Sequence, residues 1–184
     1  MALISTTILK PCRVPWAISP TMSGVTLHHG ETDAAPECSV VFGAGRLRDD
    51  DRTDSRRVEL LFENCNHARV GPHSDTGGIE EIGYTTMEQP IFDPANYLSQ
   101  RLRLWKESGF CPDPGFYIAI ESAWLNELPE LIRLGFRHYV VDGRDGYVEL
   151  IALGFRWREW LWDKGHRESA PLNGPVVGEG VSHF

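Results

Sequence analysis

The sequence predicts an α+β fold: a mainly antiparallel sheet of five to eight strands, with two helices in the second half of the chain. Three observations predict it. Residues Arg57–Glu63 alternate with period two, Val58, Leu60 and Phe62 on one face and Glu59, Leu61 and Glu63 on the other. No amphipathic helical stretch occurs before Asp93. Gly143-Arg144-Asp145-Gly146 is a hairpin turn between two apolar runs. Runs of strands succeeded by helices and further strands give α+β rather than a doubly wound architecture.

Leu3–Leu9 reads as a first strand, punctuated on its C-terminal side by Pro11 and Pro15, and Val25–His29 as a second. Glu37–Gly43 carries Val40, Val41 and Phe42, the pattern of a buried strand. Arg46–Arg57, with Asp49, Asp50 and Asp51 in succession, reads as an exposed hairpin tip or mobile loop. After Arg57–Glu63, Asn64–Asn66 is a turn, and His67–Val70 is expected to return as the antiparallel partner of that strand. Residues 71–78 are loop-forming, rich in Gly, Pro, Ser and Asp.

Asp93-Pro94 starts a helix: the carboxylate caps free amides and the proline is preorganised for the first helical position. Tyr97, Leu98, Leu102 and Trp105 come next at helical spacing, and Gly109 is the stop. Phe116–Ile120 is an apolar strand. Ser122 opens a second helix toward Gly135, which Pro129 kinks or restarts. Arg137–Asp142 and Tyr147–Leu153 flank the hairpin turn, with His138 and Val140 opposite Tyr139 and Val141. Phe155–Trp162 continues as strand or short helix. Residues 1–165 are read as one α+β domain, and residues 166–184, with two prolines and three glycines, as an extended or poorly ordered tail.

The 184 residues are enough to bury a core without disulfide or metal staples. No apolar run approaches the roughly 20 residues of a spanning helix. Met1–Ile8 is apolar but short and uncharged, unlike a signal peptide. Together these predict a cytoplasmic protein whose four distant cysteines are reduced, buried thiols. The net charge is −8, and residues 31–93 alone hold 14 acids against 6 bases. Such a field repels phosphate backbones and attracts basic proteins, which argues against a nucleic-acid binder. Arg outnumbers Lys 15 to 3, favouring bidentate and stacked contacts.

Motifs for chemistry are sparse. Gly43-Ala44-Gly45 comes after an apolar strand, but Arg48 stands where a dinucleotide loop needs glycine, so a turn or bulge is the better reading. Cys65, His67, His73 and Asp75, with His28 or His29, offer zinc-type donors at unusual spacing. They mark the alternative reading, a small enzyme or ligand-binding protein. Asp49, Asp50, Asp51 and Asp54 lack the glycine and distal glutamate of a calcium loop and read as a solvated acidic loop. Cys111 with His138 has no context for a nucleophile pair, and Glu80 with Glu81 cannot be assigned acid and base roles. No catalytic residue, metal or cofactor is therefore assigned. Of the six tryptophans, five fall at or after Trp105. Alternation puts Phe155, Trp157 and Glu159 on one face and Arg156, Arg158 and Trp160 on the other, so some of these rings serve the core or a partner.

The stretch from Arg57-Val58-Glu59-Leu60-Leu61-Phe62 to Tyr84, together with the aromatic strand–helix–hairpin unit 116–162, resembles the small cytosolic immunity proteins of bacterial polymorphic-toxin systems in size, acidity and layout. The resemblance spans roughly residues 37–162. It implies a non-enzymatic inhibitor that occludes the active surface of a cognate toxin. The expected partner is a basic protein, neither nucleic acid nor membrane. The candidate partner-binding residues are Asp49, Asp50, Asp51, Asp54, Glu80 and Glu81 for electrostatic contact, with Trp157 and Trp160 as anchors.

Overall fold

The computed structural model describes residues 7–19, 25–31, 36–72, 83–87, 94–143, 145–161 and 178–179. The strands, in chain order, are β1 (Thr7–Pro11), β2 (Trp16–Ile18), β3 (Thr26–Glu31), β4 (Pro36–Leu47), β5 (Thr53–Glu63), β6 (His67–Pro72), β7 (Tyr84–Thr86), β8 (Phe116–Ile120), β9 (Arg137–Asp142), β10 (Gly146–Ala152), β11 (Gly154–Leu161) and β12 (Gly178–Glu179). One longer helix, α1 (Tyr97–Ser108), and two single turns, α2 (Ala123–Asn126) and α3 (Glu130–Arg133), complete the described elements. The α+β class is as the sequence predicts, and the strands form two sheets rather than one.

The first sheet has the order β6-β10-β9-β8-β1-β7, antiparallel except for the parallel β1–β7 pair. The second has the order β12-β11-β5-β4-β2, with β3 also paired to β4. The sheets stack face to face. Val40, Phe42, Leu60, Phe62 and Phe155 from one meet Phe116, Tyr139, Val141 and Leu150 from the other in a single core. Rings close the gap between layers: Phe116 stands edge-on to Phe155 at 4.8 Å, and Phe62 lies 5.3 Å from Tyr139. Buried and exposed residues alternate along β5 and β11, as burying one face requires, whereas β9 is buried on both faces from His138 to Val141.

Only three residues separate β5 from β6, yet the two strands do not pair. β6 crosses to the other sheet and pairs with β10, Arg69 opposite Glu149. The expected β5–β6 hairpin is therefore corrected: Asn64, at φ 49°, turns the chain out of the β5 plane. The charged loop is also shorter than expected, because β4 runs to Leu47 and β5 starts at Thr53. Gly43, Ala44 and Gly45 lie inside the regular β4–β5 ladder, not in a turn. The N-terminal strand is an inner strand of the first sheet, flanked by the edge strand β7 and by β8.

α1 packs on the back of the second sheet through Trp105, which meets Ala17 and Leu47 and donates its indole N–H to the Pro15 carbonyl at 3.3 Å. Gly109, at φ 73°, ends it as expected. Asp93 lies outside the described residues; α1 is preceded by a 3-10 turn over Pro94–Asn96. Pro129 separates α2 from α3. Of the expected tail, Gly178–Glu179 pairs with β11, and the rest lies outside the described residues.

Candidate functional site

The face of the first sheet turned away from the core carries a buried polar array. Alternation puts His138 of β9, Glu149 of β10 and Arg69 of β6 on this face, beside an apolar cluster of Leu9, Tyr84, Tyr117, Ala119 and Val140. Glu149 is 1% exposed, and so is His138. A charge buried this deeply has to be paired and hydrogen-bonded. Arg69 grips Glu149 in a bidentate pair, with Nη2 2.9 Å from Oε1. Tyr84 donates its phenol to the same carboxylate, and His138 Nε2 lies 3.1 Å from Oε1. Burial pushes the Glu149 carboxyl up, but the hydrogen bonds from His138, Arg69 and Tyr84 outweigh it and hold the group down at about 2. Burial pushes the Tyr84 phenol up, and the neighbouring carboxylate adds to this.

The other ring nitrogen, Nδ1 of His138, lies 2.7 Å from Ser122 Oγ. The backbone brings Ser122 there. β8 ends at Ile120, Glu121 takes φ 56°, and Ser122 becomes the N-cap of α2, its Oγ accepting the Leu125 N–H at 3.0 Å. The hydroxyl still has its proton and a second lone pair, so it can donate to Nδ1 or accept from it, according to the ring's tautomer. Trp124 of α2 closes the assembly, edge-on to His138 at 5.1 Å and beneath the Arg69 guanidinium at 4.2 Å. At the far side the Tyr147 ring lies across Gly71, where a Cβ would overlap it.

The order Ser122–His138–Glu149 is that of a serine–histidine–acid relay, in which the acid orients the ring and the ring accepts the hydroxyl proton. Two features set it apart from an open nucleophile. Ser122 is 4% exposed, and its oxygen is held by both Leu125 and His138. Glu149 is matched by Arg69 as well as by His138. As built, the array braces β6, β7, β9, β10 and the β8–α2 turn to one another. A shallow cleft of about 260 Å³ lies elsewhere, beside α1, with Arg13 stacked on Phe110 at 4.6 Å; its lining includes no member of the array.

The residues singled out from sequence fall in several separate places. Asp49, Asp50 and Asp51 are exposed at the β4–β5 tip. The tip is an ordered turn: Arg48 N–H donates to the Arg52 carbonyl at 2.8 Å, Arg52 N–H to Asp50 Oδ1 at 3.3 Å, and Asp51 takes φ 61°. Asp50 and Asp54 pair with Arg48 at 3.4 and 3.1 Å, Asp54 also with Arg56 at 3.1 Å, and Asp51 with Lys106 of α1 at 2.9 Å. The acidity there is therefore partly compensated within the chain. Glu80 and Glu81 lie outside the described residues.

Trp157 is corrected as an exposed anchor. It is 8% exposed and belongs to the inter-sheet core beside Phe155, because its strand face is the one that the first sheet covers. Trp160, on the opposite face, is half-buried, with Arg158 over its ring at 5.3 Å.

Cys65 turns inward and donates to the His67 carbonyl at 3.7 Å, while the His67 ring packs edge-on to Trp124. His73 and Asp75 lie outside the described residues, and His28 and His29 are exposed on β3. Among the described residues no group of three or more His, Cys, Asp or Glu side chains is placed to hold a metal ion. Cys111 contacts Arg101 and the Asp113 carbonyl, whereas His138 is engaged by Ser122 and Glu149, so the two form no pair. No protein-family model, curated protein or solved structure matches the chain.

Proposed function

We propose that this chain is a cytosolic protein-binding inhibitor of the immunity type, which neutralises a cognate basic toxin by covering its active surface. The observation that carries the reading is the β4–β5 tip. Two long paired strands hold out three consecutive exposed aspartates in a hydrogen-bonded turn, at the acidic end of a chain with net charge −8. Preformed charge of this kind accelerates encounter with an oppositely charged surface and costs little ordering entropy on binding. Asp49 makes no ion pair among the described residues, so its charge is available to a partner. Trp160, with Arg158 stacked on it, is the aromatic that remains available for contact.

The test begins with native mass spectrometry of untagged protein purified from its host, which should carry one basic protein in stoichiometric complex. Association of that protein with the Asp49→Asn/Asp50→Asn/Asp51→Asn variant is then timed across a salt series. The expected result is roughly tenfold slower association at low salt and a flatter salt dependence, with little change in dissociation. An unchanged rate and salt slope would refute the role of the tip. A basic partner whose activity persists in the complex would refute the inhibitor reading itself.

A further inference from the structure

We infer that the cleft beside α1 binds a small planar aromatic carboxylate of benzoate size, with Arg13 holding the carboxylate. The inference is independent of the inhibitor reading. The cleft has a volume of about 260 Å³, near the lower end for small-molecule sites, which suits one ring with a short substituent rather than a nucleotide. Pro11, Leu104, Phe110 and Pro112 wall it, and the buried Cys12 and Cys111 form its floor. Proline faces, a phenyl ring and soft, polarizable thiols favour an apolar ring over a polar body.

The backbone sets the shape before any ligand arrives. The Cys12 N–H donates to the Phe116 carbonyl at 2.9 Å, and the Cys111 N–H to the Val14 carbonyl at 2.9 Å. These bonds tie the link between β1 and β2 to β8 and to the segment after α1. Ser108 Oγ donates to the Leu104 carbonyl at 2.7 Å and accepts the Phe110 N–H at 3.1 Å, which fixes Phe110 against the last turn of α1. A site ordered in this way costs little entropy to fill.

Charge selects the carboxylate. The chain carries a net −8, yet among the described residues no Asp or Glu lines this cleft. Two acids adjoin lining residues in sequence, and both are engaged: Glu107 pairs with Arg103 at 3.9 Å, and Asp113 accepts from the Tyr117 phenol at 2.5 Å. Arg13 is exposed, lies over the Phe110 ring at 4.6 Å and makes no ion pair among the described residues. A guanidinium stacked by its face keeps its in-plane N–H donors free, and these match the two oxygens of a carboxylate. Arg101 stands behind the floor, its Nη2 3.5 Å from Cys111 Sγ and 2.7 Å from the Asp113 carbonyl, and adds a second positive charge.

The full chain, isotope-labelled, is followed by amide NMR at neutral pH and constant ionic strength while benzoate, acetate or benzyl alcohol is added. Benzoate should give saturating shifts centred on Cys12, Arg13, Phe110 and Cys111, with Kd on the order of 1 mM. Acetate lacks the ring and benzyl alcohol lacks the charge, so each should bind roughly tenfold more weakly. Arg13→Gln should weaken benzoate roughly tenfold, to the level of benzyl alcohol, and leave benzyl alcohol itself unchanged. Leu104→Trp, which fills the cleft, should abolish the shifts from both. Benzoate shifts that do not saturate or that centre elsewhere, acetate or benzyl alcohol binding as tightly as benzoate, or an unchanged benzoate affinity in Arg13→Gln would overturn the inference.

Discussion

Replacing Glu149 by Gln removes a charge while keeping the shape of the side chain. The carboxylate is 1% exposed and accepts from His138, Arg69 and Tyr84. Those bonds hold its pKa at about 2, against an ordinary value of 4.5. By linkage the difference corresponds to about 3 kcal/mol of stability at neutral pH. Arg69 is half exposed and regains water when its partner is neutral, so about 2–3 kcal/mol is the expected loss in the variant. Because the folded-state pKa is lowered, this stabilisation is complete above the ordinary 4.5 and disappears as pH falls toward about 2. The glutamine variant never has it. Urea unfolding of both proteins from about pH 7 down to about pH 2 should therefore give two curves that converge in acid. A gap that stays constant with pH would mean that the amide disturbs packing rather than charge. A gap below about 0.5 kcal/mol at neutral pH would mean that the carboxylate contributes nothing net, as some buried pairs do.

Two further substitutions probe the layers on either side. Trp157→Ala should cost about 3–5 kcal/mol in chemical denaturation, and Trp160→Ala under about 1 kcal/mol; similar losses would contradict the assignment of strand faces. Ser122→Ala should cost about 1–2 kcal/mol by uncapping Leu125, and should shift the His138 ring-nitrogen NMR signals as Nδ1 loses its hydrogen-bond partner. Unmoved ring signals would show that the hydroxyl and the ring do not bond.

Much of the strand layout is legible in the sequence because burying one face imposes a period of two. The two faces of β5 can be told from Val58, Leu60 and Phe62, whereas β9 is buried on both faces and shows no such alternation. Gly109 and Pro129 mark helix ends through their own backbone restrictions. The partner of β6 is not legible, since a short link after a strand ordinarily makes a hairpin. What redirects it is the single left-handed residue Asn64, and asparagine is common in both kinds of turn. The same periodicity separates Trp157 from Trp160 but cannot say which face a second sheet will cover. The polar array left one overlooked signal. The Gly143–Gly146 turn sets Asp142 opposite Tyr147, and counting on from it makes His138 and Glu149 diagonal neighbours on one face. A glutamate between Val148 and Leu150 therefore needed a partner, and His138 was within reach. Arg69, Tyr84 and Ser122 arrive from distant segments, which no local pattern announces.

The way the chain commutes between layers has a kinetic consequence. It enters the first sheet with β1, builds β2 to β5 in the second, returns for β6 to β10, and comes back with β11 beside β5. Neither sheet can be finished before most of the polypeptide has been ordered, and the pairings β5–β11 and β1–β8 each close a loop of about a hundred residues. Folding of this topology is dominated by distant encounters and belongs among the slow, cooperative cases. A nick between β6 and β7 would leave two fragments that each expose an unfinished edge shaped for the other. The molecule is thus wired as two interlocking halves, neither of which holds a finished sheet.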